Sequence, residues 1–138
     1  MYDLIIRDGT IVRSSGRLVA DIAIEDGKIA YVGSNPAGGA KEEFSAIGRF
    51  IIPGVIDTHV HFRDPGHPGK ESWDTGSREA VRNGVTTVLD MPNTKPPTIN
   101  QQAVRAKLAT AAANSVANYG VWAGATAENL DLLAELHD

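Results

Sequence analysis

The fold is decided by residues 53–66, which read Pro-Gly-Val-Ile-Asp-Thr-His-Val-His-Phe-Arg-Asp-Pro-Gly. The β-branched and apolar side chains at its start predict a strand, and residues two apart on a strand project from the same face. One face would carry the polar side chains, in the order Val55, Asp57, His59, His61 and, at its end, Arg63. The other face, with Ile56, Thr58 and Val60, would pack against covering helices.

Helical and strand-like segments alternate after this first strand. They are a helix at 72–83, a strand at 85–89, a helix ending near 114 behind a capping box at 98–101, a strand at 119–125 and a last helix through 130–136. Such alternation is typical of parallel strands joined by helical crossovers. The segment from residue 53 onward suffices for about three such units of about 30 residues, whereas a closed barrel needs about 200 residues or more. We therefore predict an α/β fold in which residues 53–138 form the first three βα units of an incomplete (β/α)8 TIM-type barrel.

The first 52 residues show a different pattern, rich in short apolar runs separated by turn residues. The dipeptides Asp8-Gly9 and Asp26-Gly27 both tolerate the positive φ of a tight turn, and each is flanked by strand-like segments. We therefore predict two hairpins within a β-rich, sandwich-type segment at residues 1–52, with a domain boundary at residue 53.

Composition excludes several function classes. The 138 residues include 13 Lys and Arg, 17 Asp and Glu, and no Cys, and the formal net charge is −4. This charge predicts no nucleic-acid partner and no anionic membrane surface, and the absence of Cys excludes disulfides and thiolate sites. Neither a signal peptide nor an apolar run of about 20 residues is present, so we expect a cytoplasmic protein.

The spacing of His59 and His61 favours a metal site. Two imidazoles on one strand face, near its carboxyl end, can both reach a single divalent cation. Asp57, one step lower, could hold an imidazole N–H as a supporting partner, and Arg63 could pair with a substrate carboxylate. The alternative is that both histidines are packing or hydrogen-bonded residues without catalytic consequence.

Two motifs together resemble a known family. The stretch at residues 53–66 resembles the first-strand signature of the amidohydrolase superfamily, and its Phe-Arg-Asp-Pro-Gly continuation is similar to that of dihydroorotases, which are cyclic amidohydrolases. A second stretch at residues 90–94, Asp-Met-Pro-Asn-Thr, resembles another signature of the same family. The resemblance covers essentially the whole chain, including the β-rich segment before the barrel.

The resemblance implies a function and a set of residues. It implies that His59 and His61 bind one zinc ion of a centre with one or two Zn²⁺, and that Arg63 and Asn93 bind the substrate. The implied reaction is hydrolysis of dihydroorotate, a small anionic cyclic ureide, to N-carbamoyl-L-aspartate in pyrimidine biosynthesis. The family's other metal ligands and its general-base aspartate lie on later strands, beyond Asp138. We therefore expect no catalytic residue within this chain, and an N-terminal portion of a longer enzyme that is inactive alone.

Several alternatives remain open. Allantoinases and hydantoinases share the same chemistry, although their substrates lack the carboxylate that Arg63 would bind. The chain could instead be a non-catalytic, amidohydrolase-like assembly subunit, and a homo-oligomer is compatible with either function.

Four other polar residues have no assigned role. Asp64 fits two roles equally, orienting Arg63 or forming a turn, and strand parity does not decide which face carries Asp90. His67 and His137 are expected at the surface.

Overall fold

The structure of the protein is a computed structural model that describes residues 1–67 and 69–136; the prediction for His137 lies outside these residues. The contacts divide the chain into two units, residues 1–53 and the residues from Gly54 onward. The first unit contains strands β1 (Tyr2–Arg13), β2 (Gly16–Glu25), β3 (Lys28–Gly33), β4 (Ala40–Ser45) and β5 (Phe50–Ile51). The second contains β6 (Val55–Val60), α1 (Trp73–Arg82), β7 (Val85–Asp90), α2 (Gln101–Asn114), β8 (Asn118–Val121) and a 3₁₀ helix at Leu130–Glu135.

The first predicted hairpin is wrong, because β1 passes through Asp8-Gly9 without reversing. Pairing with β2 shifts register between Ile6 and Gly9, and Asp8 has a φ of 57°. One extra residue with positive φ in one strand of an antiparallel pair is a β-bulge. The dipeptide thus has the positive φ expected of it, but within a bulge instead of a turn. The chain reverses later, between β1 and β2.

The second predicted hairpin is confirmed. Strands β2 and β3 pair antiparallel across Asp26 and Gly27, whose φ angles are 51° and 71°. Strands β4 and β5 pair parallel with successive parts of β1, which gives one five-stranded mixed sheet. Residues 1–53 therefore form a β-rich unit as predicted, but as one mixed sheet; the two packed sheets of a sandwich are not seen in this unit.

A buried carboxylate stabilises the bulge in β1. Asp21, which is 5% exposed, accepts hydrogen bonds from the backbone N–H groups of Asp8 (2.9 Å) and Asn35 (3.2 Å). It also pairs with the Arg7 guanidinium at 3.0 Å. The backbone N–H of Asp8, with help from Arg7 and Asn35, lowers the pKa of Asp21 below its usual value.

The second unit is a parallel sheet with helices between its strands, in the order β6-β7-β8. Helix α1 packs on β7 and helix α2 packs on β8. The core consists of Phe62, Trp73, Val88 and Ala111, all buried. Val60 packs against it, but Ile56, also predicted to face the helices, is 61% exposed, since the covering helices lie over the next two strands.

The ends of the elements differ from the predictions in three places. Asn100 rather than Thr98 caps α2, with its side-chain oxygen 2.9 Å from the backbone N of Ala103. The third strand ends at Val121, and the last helix is 3₁₀ rather than α. No helix among the described residues is both long and apolar enough to cross a membrane.

Candidate metal and substrate site

The two histidines at the end of the first parallel strand, His59 within β6 and His61 just after it, converge. The buried Phe62 packs edge-on against Trp73 at the start of α1, with ring centroids 5.2 Å apart. Because neighbouring residues of an extended chain alternate in direction, this packing leaves His61 on the opposite face. The Nε2 atoms of His59 and His61 lie 3.2 Å apart, and the rings cross at 66°. Both imidazoles are therefore aimed at one point near the carboxyl end of β6.

This arrangement fits half of a zinc site. Two nitrogen ligands at about 2.0–2.1 Å from a tetrahedral zinc ion lie about 3.3–3.4 Å apart, close to the distance between the two Nε2 atoms. The described part of the chain contains no group of three or more His, Cys, Asp or Glu side chains placed to hold a metal ion. The histidine pair could thus supply two ligands and would need others to complete the coordination.

Asn93 contacts the histidine pair from the next loop. Its side-chain oxygen lies 2.9 Å from Nδ1 of His61. An amide oxygen only accepts, so a hydrogen bond at this contact would place the proton on Nδ1 and the lone pair of neutral His61 on Nε2. This is the tautomer that a metal bound through Nε2 requires, and ligating histidines commonly make such a second bond. Asn93, which the resemblance implies as a substrate-binding residue, is placed to orient His61.

Asp57 does not contact an imidazole ring, so the supporting role predicted for it is not seen. Its carboxylate accepts a hydrogen bond from the backbone N–H of His59, at 3.1 Å. A short Asp side chain readily accepts a hydrogen bond from the backbone N–H two residues on, and this bond competes with a contact to a more distant imidazole. The side chain that does contact an imidazole comes from Asn93, which lies 32 residues after His61.

Arg63 lies beyond the end of β6 and has a left-handed conformation, with a φ of 63°. It therefore does not continue the alternation of β6, as an extended strand would. Its Nη1 lies 3.4 Å from the backbone oxygen of Asn93. The guanidinium lines a cleft of about 400 Å³ together with His61, His67, Lys70 and Glu71. His67, predicted at the surface, is half-buried in the wall of this cleft.

Asp64 lies in a turn, and its side chain bonds to the first helix rather than to Arg63. Its carboxylate accepts from the backbone N–H of Trp73 at 3.2 Å, and its backbone oxygen accepts from the indole Nε1 of the same residue at 3.2 Å. Ser72 caps the same helix by accepting from the backbone N–H of Thr75. The loop that follows the two histidines is thereby tied to α1.

Sequence reasoning missed one buried pair beside the site. Asp90 and Lys107 are 0% and 1% exposed, and their Oδ2 and Nζ atoms lie 2.6 Å apart. Burial lowers the pKa of Lys107, and the neighbouring Asp90 opposes that effect. The signal was present, because Lys107 lies on the stripe of α2 that also carries the buried Val104 and Ala111.

Comparisons with known proteins agree with this fold. The profile of the Amidohydrolase family matches residues 50–136. An allantoinase from Desulfitobacterium hafniense (strain Y51) is 43% identical over 136 residues, which is 98% of this chain and 30% of the relative. A dihydroorotase from Halobacterium salinarum is 47% identical over 124 residues, 90% of this chain and 28% of the relative.

A solved structure agrees over the whole chain. The L-hydantoinase (dihydropyrimidinase) from Arthrobacter aurescens matches with a TM-score of 0.91 at 32% identity, covering 100% of this chain and 31% of the hydantoinase. The chain thus spans about 30% of the length of the relatives it matches. With a family match over most of its length and an α/β fold that follows a β-rich unit, the chain belongs to the amidohydrolase family.

Proposed function

We propose that the chain is the N-terminal portion of a zinc-dependent hydrolase that opens cyclic amides, with dihydroorotate as its substrate. The observation that carries this proposal is the 3.2 Å approach of the Nε2 atoms of His59 and His61 at the carboxyl end of β6. Membership of the amidohydrolase family supports a hydrolytic reaction. We also propose that β6, β7 and β8 with their helices are the first part of a (β/α)8 barrel, whose active sites lie at this end of the strands.

Each residue of the site has a proposed role. His59 and His61 would hold zinc through Nε2, and Asn93 would keep His61 in the required tautomer through its bond to Nδ1. Zinc, when bound, would polarise the amide carbonyl and activate a water molecule. The chain spans about 30% of the length of its relatives. The remaining ligands and the general base would come from the part of the enzyme that corresponds to the rest of that length.

Arg63 is the proposed determinant of the substrate. A guanidinium pairs with a carboxylate through two parallel hydrogen bonds, and dihydroorotate carries a carboxylate where allantoin and hydantoin carry none. The alternative, an allantoinase- or hydantoinase-type substrate, is favoured by the allantoinase that is 43% identical over nearly the whole chain. Arg63 therefore deserves a direct test.

Zinc titration tests the metal site. The affinity of the chain would be measured by competition with a chromophoric chelator, in wild type, His59→Ala and His61→Ala, with Asn114→Ala, a residue of α2 that does not line the cleft, as the control. Loss of one of two protein ligands should weaken binding by about 100-fold or more, while the control should bind as wild type does. Zinc binding that is independent of both histidines would contradict the proposal and favour a non-catalytic assembly subunit.

Substrate kinetics test Arg63 in the enzyme of which this chain would be the N-terminal portion. A hydrogen-bonded charge pair contributes about 1.5–3 kcal/mol, so Arg63→Met should raise KM for dihydroorotate by about 10- to 150-fold. Arg105→Met, on an exposed face of α2, is the control. An unchanged KM, together with turnover of allantoin or hydantoin by the wild type, would establish the alternative.

A further inference from the structure

The buried pair of Asp90 and Lys107 joins two loops of the candidate site. Asp90 ends β7 and Lys107 lies in the middle of α2, and the two side chains meet where solvent does not reach. Charges in such a place are costly, and apolar side chains of similar size often stabilise a core as well or better. Packing alone therefore does not explain why a charged pair occupies this buried position.

Each member of the pair makes a second bond, and each second bond reaches the backbone. The carboxylate of Asp90 accepts from the N–H of Phe62 at 2.8 Å. The ammonium of Lys107 donates to the backbone oxygen of Met91 at 2.6 Å. Phe62 directly follows His61, and Met91 lies two positions before Asn93. The ion pair thus forms a continuous connection between the residues that carry His61 and Asn93.

This connection supports a short contact that is itself exposed. The bond between Nδ1 of His61 and the Asn93 side chain lies at the surface of the described structure, where water competes for both groups. An exposed bond between two loops persists only when the backbone on each side is held in place, since ordering the two loops has an entropic cost. Apolar residues at positions 90 and 107 could fill the same space but could not bind these two backbone groups.

We propose that Asp90 and Lys107 are positioning residues, which hold the loops after β6 and β7 so that Asn93 keeps His61 in the tautomer with its lone pair on Nε2. The metal-binding part of this inference rests on the proposed function. The positioning part concerns only the contact between His61 and Asn93.

Two variants separate positioning from stability. The double variant Asp90→Asn/Lys107→Met removes both charges at similar volume and keeps an acceptor for Phe62, but it removes the donor to Met91. Its thermal unfolding midpoint should stay close to wild type, because no buried charge is left unpaired. Asp90→Asn alone keeps both backbone bonds but deprives Lys107 of its counter-charge, so it should be less stable.

The readouts are the tautomer of His61, from ¹⁵N NMR of the imidazole nitrogens, and zinc affinity. In the double variant we expect a mixture of His61 tautomers and zinc binding about tenfold weaker, whereas Asp90→Asn should keep the wild-type His61 signals. Arg105→Met, on the exposed face of the same helix, should change neither readout.

Three outcomes would overturn or separate the inferences. A folded double variant with wild-type His61 signals and zinc affinity would show that the pair only fills the core. Altered His61 signals in folded Asp90→Asn would show that the charge, and not the two backbone bonds, sets the ring. If wild type binds no zinc at His59 and His61, the proposed function fails, while the NMR result still decides the positioning role.

Discussion

Replacing Asn93 with alanine tests how far one hydrogen bond controls the histidine pair. The change removes the 2.9 Å contact with Nδ1 of His61 but keeps the backbone oxygen to which Arg63 donates. A neutral hydrogen bond contributes about 0.5–1.5 kcal/mol net, which corresponds to about 2- to 12-fold in affinity. Removing a group that orients a metal-bound histidine typically weakens metal binding by about 10- to 100-fold. Because these ranges meet near tenfold, we expect zinc binding by Asn93→Ala to be about tenfold weaker.

Chelator competition at fixed pH measures this change, with two matched variants beside it. Asn114→Ala removes a side-chain bond to the backbone oxygen of Thr110 within α2 and should leave zinc affinity unchanged. Asn93→Asp restores an acceptor for Nδ1 and should recover the wild-type affinity or exceed it. If Asn93→Ala binds zinc as wild type does while His61→Ala does not, Asn93 has no part in orienting the ring.

Three further predictions concern stability. Trp73→Ala should lower the free energy of unfolding by about 3–5 kcal/mol in urea titrations, because the side chain is fully buried. Gly66→Ala should lower the free energy of unfolding, since Gly66 has a φ of 102° and a Cβ there would clash with the backbone oxygen of Lys95. The pKa of Asp21 is lowered in the folded state. Its contribution to the free energy of unfolding is therefore present above the unfolded pKa of about 3.9 and is lost as the pH falls through the folded pKa.

Matched variants decide these three predictions. Trp122 is 47% exposed, so Trp122→Ala should lower the free energy of unfolding clearly less than Trp73→Ala does in the same urea titration. Gly69→Ala has no atom within 4 Å of the added Cβ, so equal effects at positions 66 and 69 would refute the steric argument. Asp21→Asn should have a lower free energy of unfolding than wild type at neutral pH, and this difference should narrow below about pH 4. A difference that does not change with pH would contradict the lowered pKa of Asp21.

Local patterns in the sequence were sufficient for the elements of the second unit and for the histidine pair. Alternation along the strand placed His59 and His61 on one face, and the helix predicted at residues 72–83 is followed by Gly84, whose positive φ of 84° suits the end of a helix. Both inferences need only neighbouring residues. The same is true of the hairpin at Asp26-Gly27.

Contacts between residues that are distant in the chain could not be predicted from local sequence patterns. Asp8-Gly9 suits a turn and a bulge equally, and pairing with β2 on both sides of it selects the bulge. Asp57 was expected beside an imidazole, whereas the side chain that lies beside His61 comes from Asn93, a residue far along the chain. Asp90 and Lys107 are distant in the chain, and only the fold brings their side chains together in the core.

The left-handed backbone at Arg63 has a consequence for protein engineering. A residue with a Cβ in this conformation costs about 1–2 kcal/mol relative to glycine, so Arg63→Gly should make the fold more stable. A library selected only for heat resistance would therefore enrich glycine at this position and discard the guanidinium. If Arg63 binds substrate as proposed, a thermostability screen of this protein needs turnover as a second criterion, because the two properties would oppose each other at this position.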